Sequence, residues 1–476
     1  MKHYGRFYID GEWVEATGSR TFELVDPTSE SPFATIALGR AEDVDRAVAA
    51  ARRALPAFSS TSKNERIELF ENIIDVYSSR SAELAAAVAE EMGSPISSTV
   101  QVSGALAHFK QAIVTLRDYE FERRIENSIV RREPIGVCGL ISPWNWPIQT
   151  PATKVAYALA AGCTVVLKPS EYSPTSALML AGILHEAGVP KGVFNLINGD
   201  GPVVGSALCK HPDVDFVSFT GSTRAGILVA EAAAPTVKRV AQELGGKSAN
   251  IILPDADIAA AARWNVERGM FNAGQSCHSP SRILIQRGQL EQLLDHICVA
   301  AAKIRIGDPR SAETTMGPVV NKAQFERVQG YIQTGIDEGA RLVCGGVGRP
   351  ENIERGYFVR PTVFADVTPD MTIAREEIFG PVLSVISYET DEEAVRIANG
   401  TPYGLGGYLF TSSAEKAWSV GRRMQAGRIF LNGAAGTPAA PMGGYKQSGN
   451  GREMGVFGLE EYLEIKSMFG FSELAA

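Results

Sequence analysis

From Ile135 onward, short apolar runs bounded by Gly and Pro alternate with stretches of helical spacing, and no other feature restricts the chain as much. The runs fall at 136–141, 164–167, 193–197, 216–219, 237–241 and 250–253. Strands separated by helix-length segments need crossover connections, and crossovers build a parallel sheet covered on both faces. Between two of the runs, Ser173 reads as an N-cap before Pro174 at the first helical position, with Gly188 as the stop. A second series follows, with runs at 282–285, 358–363, 382–387, 407–410 and 428–431 and helices near 288–304, 321–338, 391–399 and 413–424. Two α/β domains are expected.

The flanks read differently. Val44, Val48, Ala51 and Leu55, then Ile67, Phe70, Ile74 and Tyr77, recur at helical intervals, which predicts two or more amphipathic helices across 42–119. The segments 117–132 and 464–471 fit neither series. They read as exposed strands, and unpaired strand edges invite a partner chain.

Composition removes several function classes. The 476 residues suffice for two to three domains with their own cores. A net charge of −8 and no dense Lys/Arg run argue against nucleic-acid and anionic-membrane surfaces. The longest weakly polar run, 156–167, is broken by Gly162 and Thr164 and too short to span a bilayer, and Met1 to Glu12 lacks the apolar core of a signal peptide. The six cysteines have no paired or Cys-x-x-Cys spacing, which excludes a disulfide framework and a zinc ribbon. A reduced, cytoplasmic chain without a metal is expected.

Four places carry candidate chemistry. Cys277 lies in Phe-Asn-Ala-Gly-Gln-Ser-Cys-His on a polar loop, whereas Cys138, Cys163, Cys209 and Cys298 sit in apolar runs as fillers. A dyad with His278 is disfavoured, because adjacent residues in a regular element point apart. Asn145, between Trp144 and Trp146 at a strand end, is either a rigid oxyanion donor or a turn residue. Glu243, before Leu244, Gly245 and Gly246, is either a general base on water or the ion-pair partner of Lys247. The strand–turn–helix Phe219-Thr220-Gly221-Ser222 can turn backbone N–H groups toward a pyrophosphate, although it is neither a P-loop nor Gly-x-Gly-x-x-Gly. Lys168 and Glu171 end another strand; an acid there can bond a ribose hydroxyl and favours NAD over NADP, the alternative being a solvated loop pair.

The order of the motifs is more informative than any one of them. Pro143-Trp-Asn-Trp-Pro147, Lys168-Pro-Ser-Glu171, Phe219-Thr-Gly-Ser222, Glu243-Leu-Gly-Gly246, Gly274-Gln-Ser-Cys277, Glu376-Glu-Ile-Phe-Gly-Pro381 and Gly443-Gly-Tyr-Lys-Gln-Ser-Gly449 resemble, in sequence, the motifs of the NAD(P)-dependent aldehyde dehydrogenases. The resemblance runs from about Tyr8 to the C-terminus. It implies a Rossmann-like cofactor domain (1–116 and 136–245), a second α/β catalytic domain (246–445), and a small β oligomerisation arm with a C-terminal strand (117–135 and 446–476). It implies Cys277 as nucleophile, Glu243 as base and Asn145 as oxyanion donor, with Lys154 among the catalytic residues. NAD, with NADP possible, would contact Ile141, Trp144, Lys168, Pro169, Ser170, Glu171, Gly201, Gly205, Phe219, Thr220, Gly221, Ser222, Leu244, Gly245, Glu376 and Phe379; of these Glu376 would take the nicotinamide ribose.

The substrate would meet Trp146, Gln149, Thr150, Thr153, Phe271, Ser276, His278 and the 433–440 loop. Met442, Thr153 and His278 depart from the usual family residues, which puts the substrate in question rather than the mechanism. The loop lacks Arg and Lys, so uncharged aliphatic or aromatic aldehydes are favoured over short semialdehydes. The activity so implied is oxidation of an aldehyde to the acid in a homodimer or homotetramer. The rival readings are a coenzyme A-acylating relative, disfavoured by Glu243, and a non-catalytic structural relative, disfavoured by the intact Cys277, Glu243 and Asn145.

Overall fold

The computed structural model describes residues 1–470. Two seven-stranded sheets dominate them. In the first, Arg239–Glu243, Phe216–Thr220, Val137–Ile141, Thr164–Lys168 and Phe194–Leu196 run parallel, and the hairpin Arg6–Ile9 and Glu12–Glu15 closes one side antiparallel. In the second, Thr362–Ala365, Val382–Tyr388, Arg282–Gln286, Ala249–Ile252, Gly406–Phe410 and Arg428–Leu431 are parallel, with Arg341–Cys344 antiparallel at one edge.

The central strands are buried on both faces, as their continuous apolar runs require. Alternation then divides each strand between two cores. Cys138 and Leu140 join the packing under the helices Gln149–Ala161 and Thr175–Glu186, while Val137 and Ile141 face Val44, Val48 and Leu208. The second sheet has its own core around Ile251, Leu284 and Phe364.

Strand order places the binding edge. Val137–Ile141 sits mid-sheet, with the strands that follow it on one side and Phe216–Thr220 and Arg239–Glu243 on the other. The chain therefore leaves these neighbours in opposite directions, opening a crevice at their C-terminal ends. The second sheet turns its N-terminal edge to this crevice, because the segments preceding Ala249–Ile252 and Arg282–Gln286 carry Glu243–Lys247 and Cys277.

Several elements differ from expectation. Four helices, Ala41–Ser59, Lys63–Ser79, Ser81–Met92 and Val100–Asp118, fill the N-terminal helical region, in keeping with the two or more expected, but an unexpected three-stranded sheet of Lys2–Tyr4, Ser31–Ala37 and Thr21–Asp26 precedes them. The strand expected at 358–363 is Thr362–Ala365, since Pro361 has no N–H to donate to a ladder. The strand expected to begin at Val237 begins at Arg239, because Val237 adopts φ 56°. The hairpin Glu122–Ile125 and Ser128–Pro134 pairs with Leu463–Phe469; Tyr119 precedes it as a helix cap, and Phe471 lies outside the described residues. No helix among the described residues is long and apolar enough to cross a membrane.

Ser173 does not cap the following helix, which starts at Thr175; its hydroxyl donates to the Trp144 carbonyl at 3.1 Å. The cap comes from Glu91 on another helix. Its carboxylate accepts from the Thr175 N–H at 2.6 Å, the Ser176 N–H at 3.3 Å, the Ser176 hydroxyl at 2.5 Å and the Thr175 hydroxyl. Burial raises its pKa to about 7 against the pull of these donors. Glu91→Ala strands four buried donors and removes an anion from a helix N-terminus. The expected cost is about 1–3 kcal/mol, read as a lower urea midpoint; an unchanged midpoint contradicts this account.

Candidate active site

Asn145, Glu243 and Cys277, distant in sequence, line one cavity of about 470 Å³ between the two sheets. Their placement rests on a buried amide cluster. Asn145 Nδ2 donates to the Gln275 carbonyl at 3.0 Å, and the Asn145 carbonyl accepts from Asn272 Nδ2 at 3.0 Å and Gln101 Nε2 at 3.4 Å. Gln275 in turn donates to the Asn272 carbonyl at 3.0 Å and accepts from the Val320 N–H at 2.9 Å. The loop so held is strained, with Asn272 and Ala273 at φ 56° and 53°. A Cβ at Gly274 would overlap the Gly380 carbonyl, and one at Gly246 would overlap the Cys277 carbonyl. Two glycines thus let backbone segments from both series close on the thiol.

Cys277 is half-buried, and burial together with the charges of Glu377 and Glu243 pushes its thiol up to about 12. The His278 ring comes closer than expected, with Nδ1 3.8 Å from Sγ, because this loop is not a regular element. Yet His278 Nε2 lies 2.6 Å from Arg268 Nη2. A guanidinium only donates, so Nε2 accepts and the proton sits on Nδ1, facing the sulfur. Burial and the repulsion of Arg268 and Arg428 hold the ring well below its ordinary pKa and hence neutral. The imidazole presents an N–H to the sulfur and cannot take its proton.

Neither Glu243 oxygen has a hydrogen-bond partner, and burial and the neighbouring Glu453 push its carboxyl well above the ordinary range, against Lys154 and Arg452. Lys154 donates to Glu453 Oε1 and to the Ser218 hydroxyl, both at 2.7 Å. The alternative of a Glu243–Lys247 pair fails: the Lys247 ammonium is buried without a partner, lowered to about 7 by burial and Arg282.

The dinucleotide candidates fall in two groups along the crevice. Trp144, Thr220, Gly221, Ser222, Leu244, Gly245 and Phe379 line the cavity itself. Ser222 caps the helix Thr223–Ala233, its hydroxyl accepting from Ala225 N–H at 3.3 Å, and the Thr220 hydroxyl is buried without a partner. Phe379, at φ 60°, turns its ring edge-on to Trp144 at 5.3 Å, with its carbonyl held by Gln324 at 2.7 Å. Phe219 covers Gly221.

The second group surrounds the end of Thr164–Lys168. Ile141 pairs with Lys168, whose buried ammonium donates to the Pro169 carbonyl at 2.9 Å and meets Glu171 at 3.5 Å; Ser170 accepts from the Tyr172 N–H at 3.3 Å. Lys168 is therefore not part of a solvated loop pair. Beside it, a Cβ on Gly201 would meet nothing within 4 Å and one on Gly205 only atoms at 3.8 Å or more. An unpartnered hydroxyl, a helix N-terminus at the cavity wall and this clear space beside a buried cation fit a dinucleotide.

Three candidates stand elsewhere than expected. Glu376 is exposed and accepts from the Tyr331 hydroxyl at 2.7 Å, whereas Glu377 lines the cavity and accepts from Gly246 N–H at 3.0 Å. In extended backbone neighbouring side chains face opposite ways, so a one-residue error exchanges inside for outside. Phe271 does not line the cavity but stacks on Trp146 at 5.9 Å. Ser276 is buried behind the wall. Trp146, Gln149, Thr150, Thr153, His278 and Met442 do line it, with 436–438 of the expected loop. The loop supplies no cation, but Arg268 and Arg428 do, from the helix Ile258–Met270 and the strand Arg428–Leu431. Neither residue belongs to a motif, and only the N-terminal position of Arg428 on a strand aimed at the cleft hinted at it. Among the described residues no three His, Cys, Asp or Glu side chains gather as metal ligands.

The aldehyde dehydrogenase family profile matches residues 13–468. The chain belongs to that family. It is 53% identical to 3-succinoylsemialdehyde-pyridine dehydrogenase of Pseudomonas sp, over 99% of both chains. Its structure superposes with TM-score 0.97 on a Cys-to-Ala variant of aldehyde dehydrogenase C from Pseudomonas syringae in complex with NAD+ and octanal, at 52% identity, covering 98% of this chain and 96% of that one. It superposes with TM-score 0.94 on the NAD+ complex of a Bacillus cereus aldehyde dehydrogenase, at 39% identity, covering 98% and 96%. The α/β architecture is that of the family, and the chain is an enzyme of aldehyde oxidation.

The charges around Cys277 predict its reactivity. Alkylation by iodoacetamide, followed by mass spectrometry of the Cys277 peptide without dinucleotide, should keep accelerating up to alkaline pH, since the thiol lies near 12. Glu377→Gln removes the larger of the two repelling charges and should shift the profile to lower pH, accelerating the reaction about threefold to tenfold at fixed pH. A plateau at neutral pH is incompatible with the electrostatics described.

Proposed function

We propose that this aldehyde dehydrogenase works by the hydrolytic route, with Cys277 as nucleophile, Glu243 as base and Asn145 as oxyanion donor. The carrying observation is that the sulfur, the amide and an unpartnered carboxylate line one cavity beside a dinucleotide crevice. On attack the Cys277 thiol gives its proton to solvent and adds as thiolate, while Glu243, whose carboxyl is raised above the ordinary range by burial and Glu453, is kept for the later proton from water. The new C–S bond converts the aldehyde oxygen into an alkoxide. Asn145 spends one N–H on Gln275, leaving its second without a protein acceptor among the described residues, and this N–H with the Cys277 backbone N–H receives the developing charge.

Lys168, Glu171, Ser222 and Glu377 would hold NAD beneath Phe379, and the bound nicotinamide would supply the hydride acceptor. Cys277 is left as a thioester, and Glu243 takes a proton from the water that cleaves it. Lys154 holds Glu453 at 2.7 Å and so sets the field in which Glu243 titrates. NAD+ and an aldehyde together in the Cys-to-Ala variant of aldehyde dehydrogenase C support the cofactor and an aldehyde as substrate.

Residues 1–116 and 136–245 form the dinucleotide domain, and 246–445 the catalytic one. The arm of 117–135 with 446–470 joins copies of this chain into a homodimer or homotetramer. Its two flanking strands each keep one edge unpaired among the described residues, and it exposes Ile125, Ile465 and Phe469. Cysteines left free among the described residues suit a reducing compartment, the cytoplasm.

Cys277→Ala should abolish NADH formation from any aldehyde. Glu243→Gln should give a burst of NADH and then turnover slowed by about 10²–10⁴, and Asn145→Ala should lower kcat by about 10²–10³. Stopped-flow absorbance reads all three. Faster turnover with free coenzyme A, giving a thioester product, would favour the acylating branch; oxidation surviving in Cys277→Ala refutes the scheme.

A further inference from the structure

One stretch of the cavity wall is basic and lacks a counterion. Arg268 and Arg428 both line it, and neither forms an ion pair among the described residues. Arg428 lies over the Phe430 ring with Cζ 5.1 Å from its centroid, and Arg268 over Phe271 at 5.5 Å. Two imidazoles face the same charges. His278 is tied to Arg268, and His108, only 3% exposed, lines the cavity with Nδ1 unpartnered. Burial and Arg428 hold His108 down at about 4, so it is neutral. The acids that line the cavity with this cluster are Glu243, Glu377 and Glu453, the last already paired with Lys154 at 2.7 Å, and the Tyr408 hydroxyl is spent on the His278 carbonyl at 2.6 Å.

Two like charges partly removed from water repel each other and give up part of their hydration. An oxygen acceptor set between them relieves both costs. A carboxylate does so best, since it meets a guanidinium through two parallel charge-assisted bonds. Methyl-ended chains would instead bury alkyl carbon against unpaired guanidiniums.

We infer that Arg268 and Arg428, with His108, form a subsite for a carboxylate at the end of the substrate away from its aldehyde, making ω-carboxy aldehydes the preferred substrate class. This deepens the oxidation reading and rests on it for the identity of the reacting end. It also reverses the expectation of uncharged substrates drawn from the 433–440 loop.

The test compares six-carbon aldehydes ending in a methyl group, a methyl ketone or a carboxylate, using the full chain with NAD. In the wild type kcat/KM should favour the carboxylate over the methyl end by roughly tenfold or more, with the ketone between. Arg428→Met and Arg268→Met should bring that ratio toward unity and Arg428→Lys should keep part of it, whereas a merely structural role would lower both rates together. Calorimetric titration of adipate against hexanoate needs no turnover, and adipate should bind the wild type more tightly by a similar factor. A wild-type ratio at or below unity, a ratio unmoved by the variants, or preference for the ketone alone overturns the assignment. Adipate selectivity without oxidation of any aldehyde would leave the subsite standing and sink the oxidation reading instead.

Discussion

The arrangement depends on a knot of amides around residue 145. Its side chain and carbonyl bind Gln275, Asn272 and Gln101, so a loop leaving the first sheet and a loop entering the second are fixed by the same few atoms. Each such bond contributes about 1 kcal/mol net, yet breaking one strands buried partners at about 1–3 kcal/mol each. The knot is therefore weak as a source of stability and strong as a constraint on geometry. It holds Asn272 and Ala273 at positive φ, and that backbone path aims Cys277 into the cavity while leaving one Asn145 N–H unspent.

Around this point the electrostatics divide. Burial acts on all the ionisable groups, but the neighbours decide what each can do. Glu453 and Lys154 bracket Glu243 so that it keeps an affinity for protons without being tied up in a pair. His278, against Arg268, is fixed in the tautomer that donates toward sulfur. Of these two groups, the imidazole is committed to Arg268 and the Glu243 carboxylate alone is left without a partner.

Much of this was legible in the sequence where a feature is local or periodic. The strand runs, the Asn145, Glu243 and Cys277 loops and the Ser222 turn are set by short spacings, and each lies at a strand end. Spacing says less about direction within extended backbone, which is why Glu376 stood for Glu377. Proximity created by the fold was invisible. Glu91 caps a helix 84 residues away, so Ser173, the local cap candidate, was the natural but mistaken choice. Arg268 and Arg428 meet at the cavity only because a helix and a strand of the second series converge there, and nothing near either residue announces it.

The site also carries groups that a stable core would not tolerate: both Glu243 oxygens and the Thr220 hydroxyl are buried without partners. Each costs on the order of 1–3 kcal/mol, and a single internal hydrogen bond would cancel much of that. Such a bond would also occupy the atom. A base must keep its lone pair for water, and a crevice wall must keep its donors for a ligand, so satisfaction and function exclude each other at the same atom. The surrounding sheets, buried on both faces by their own helices, offset the cost at a distance. That separation between where stability arises and where it is surrendered explains how one chain can keep a thiol, a carboxylate and an amide close together, with none of the three consumed by the others.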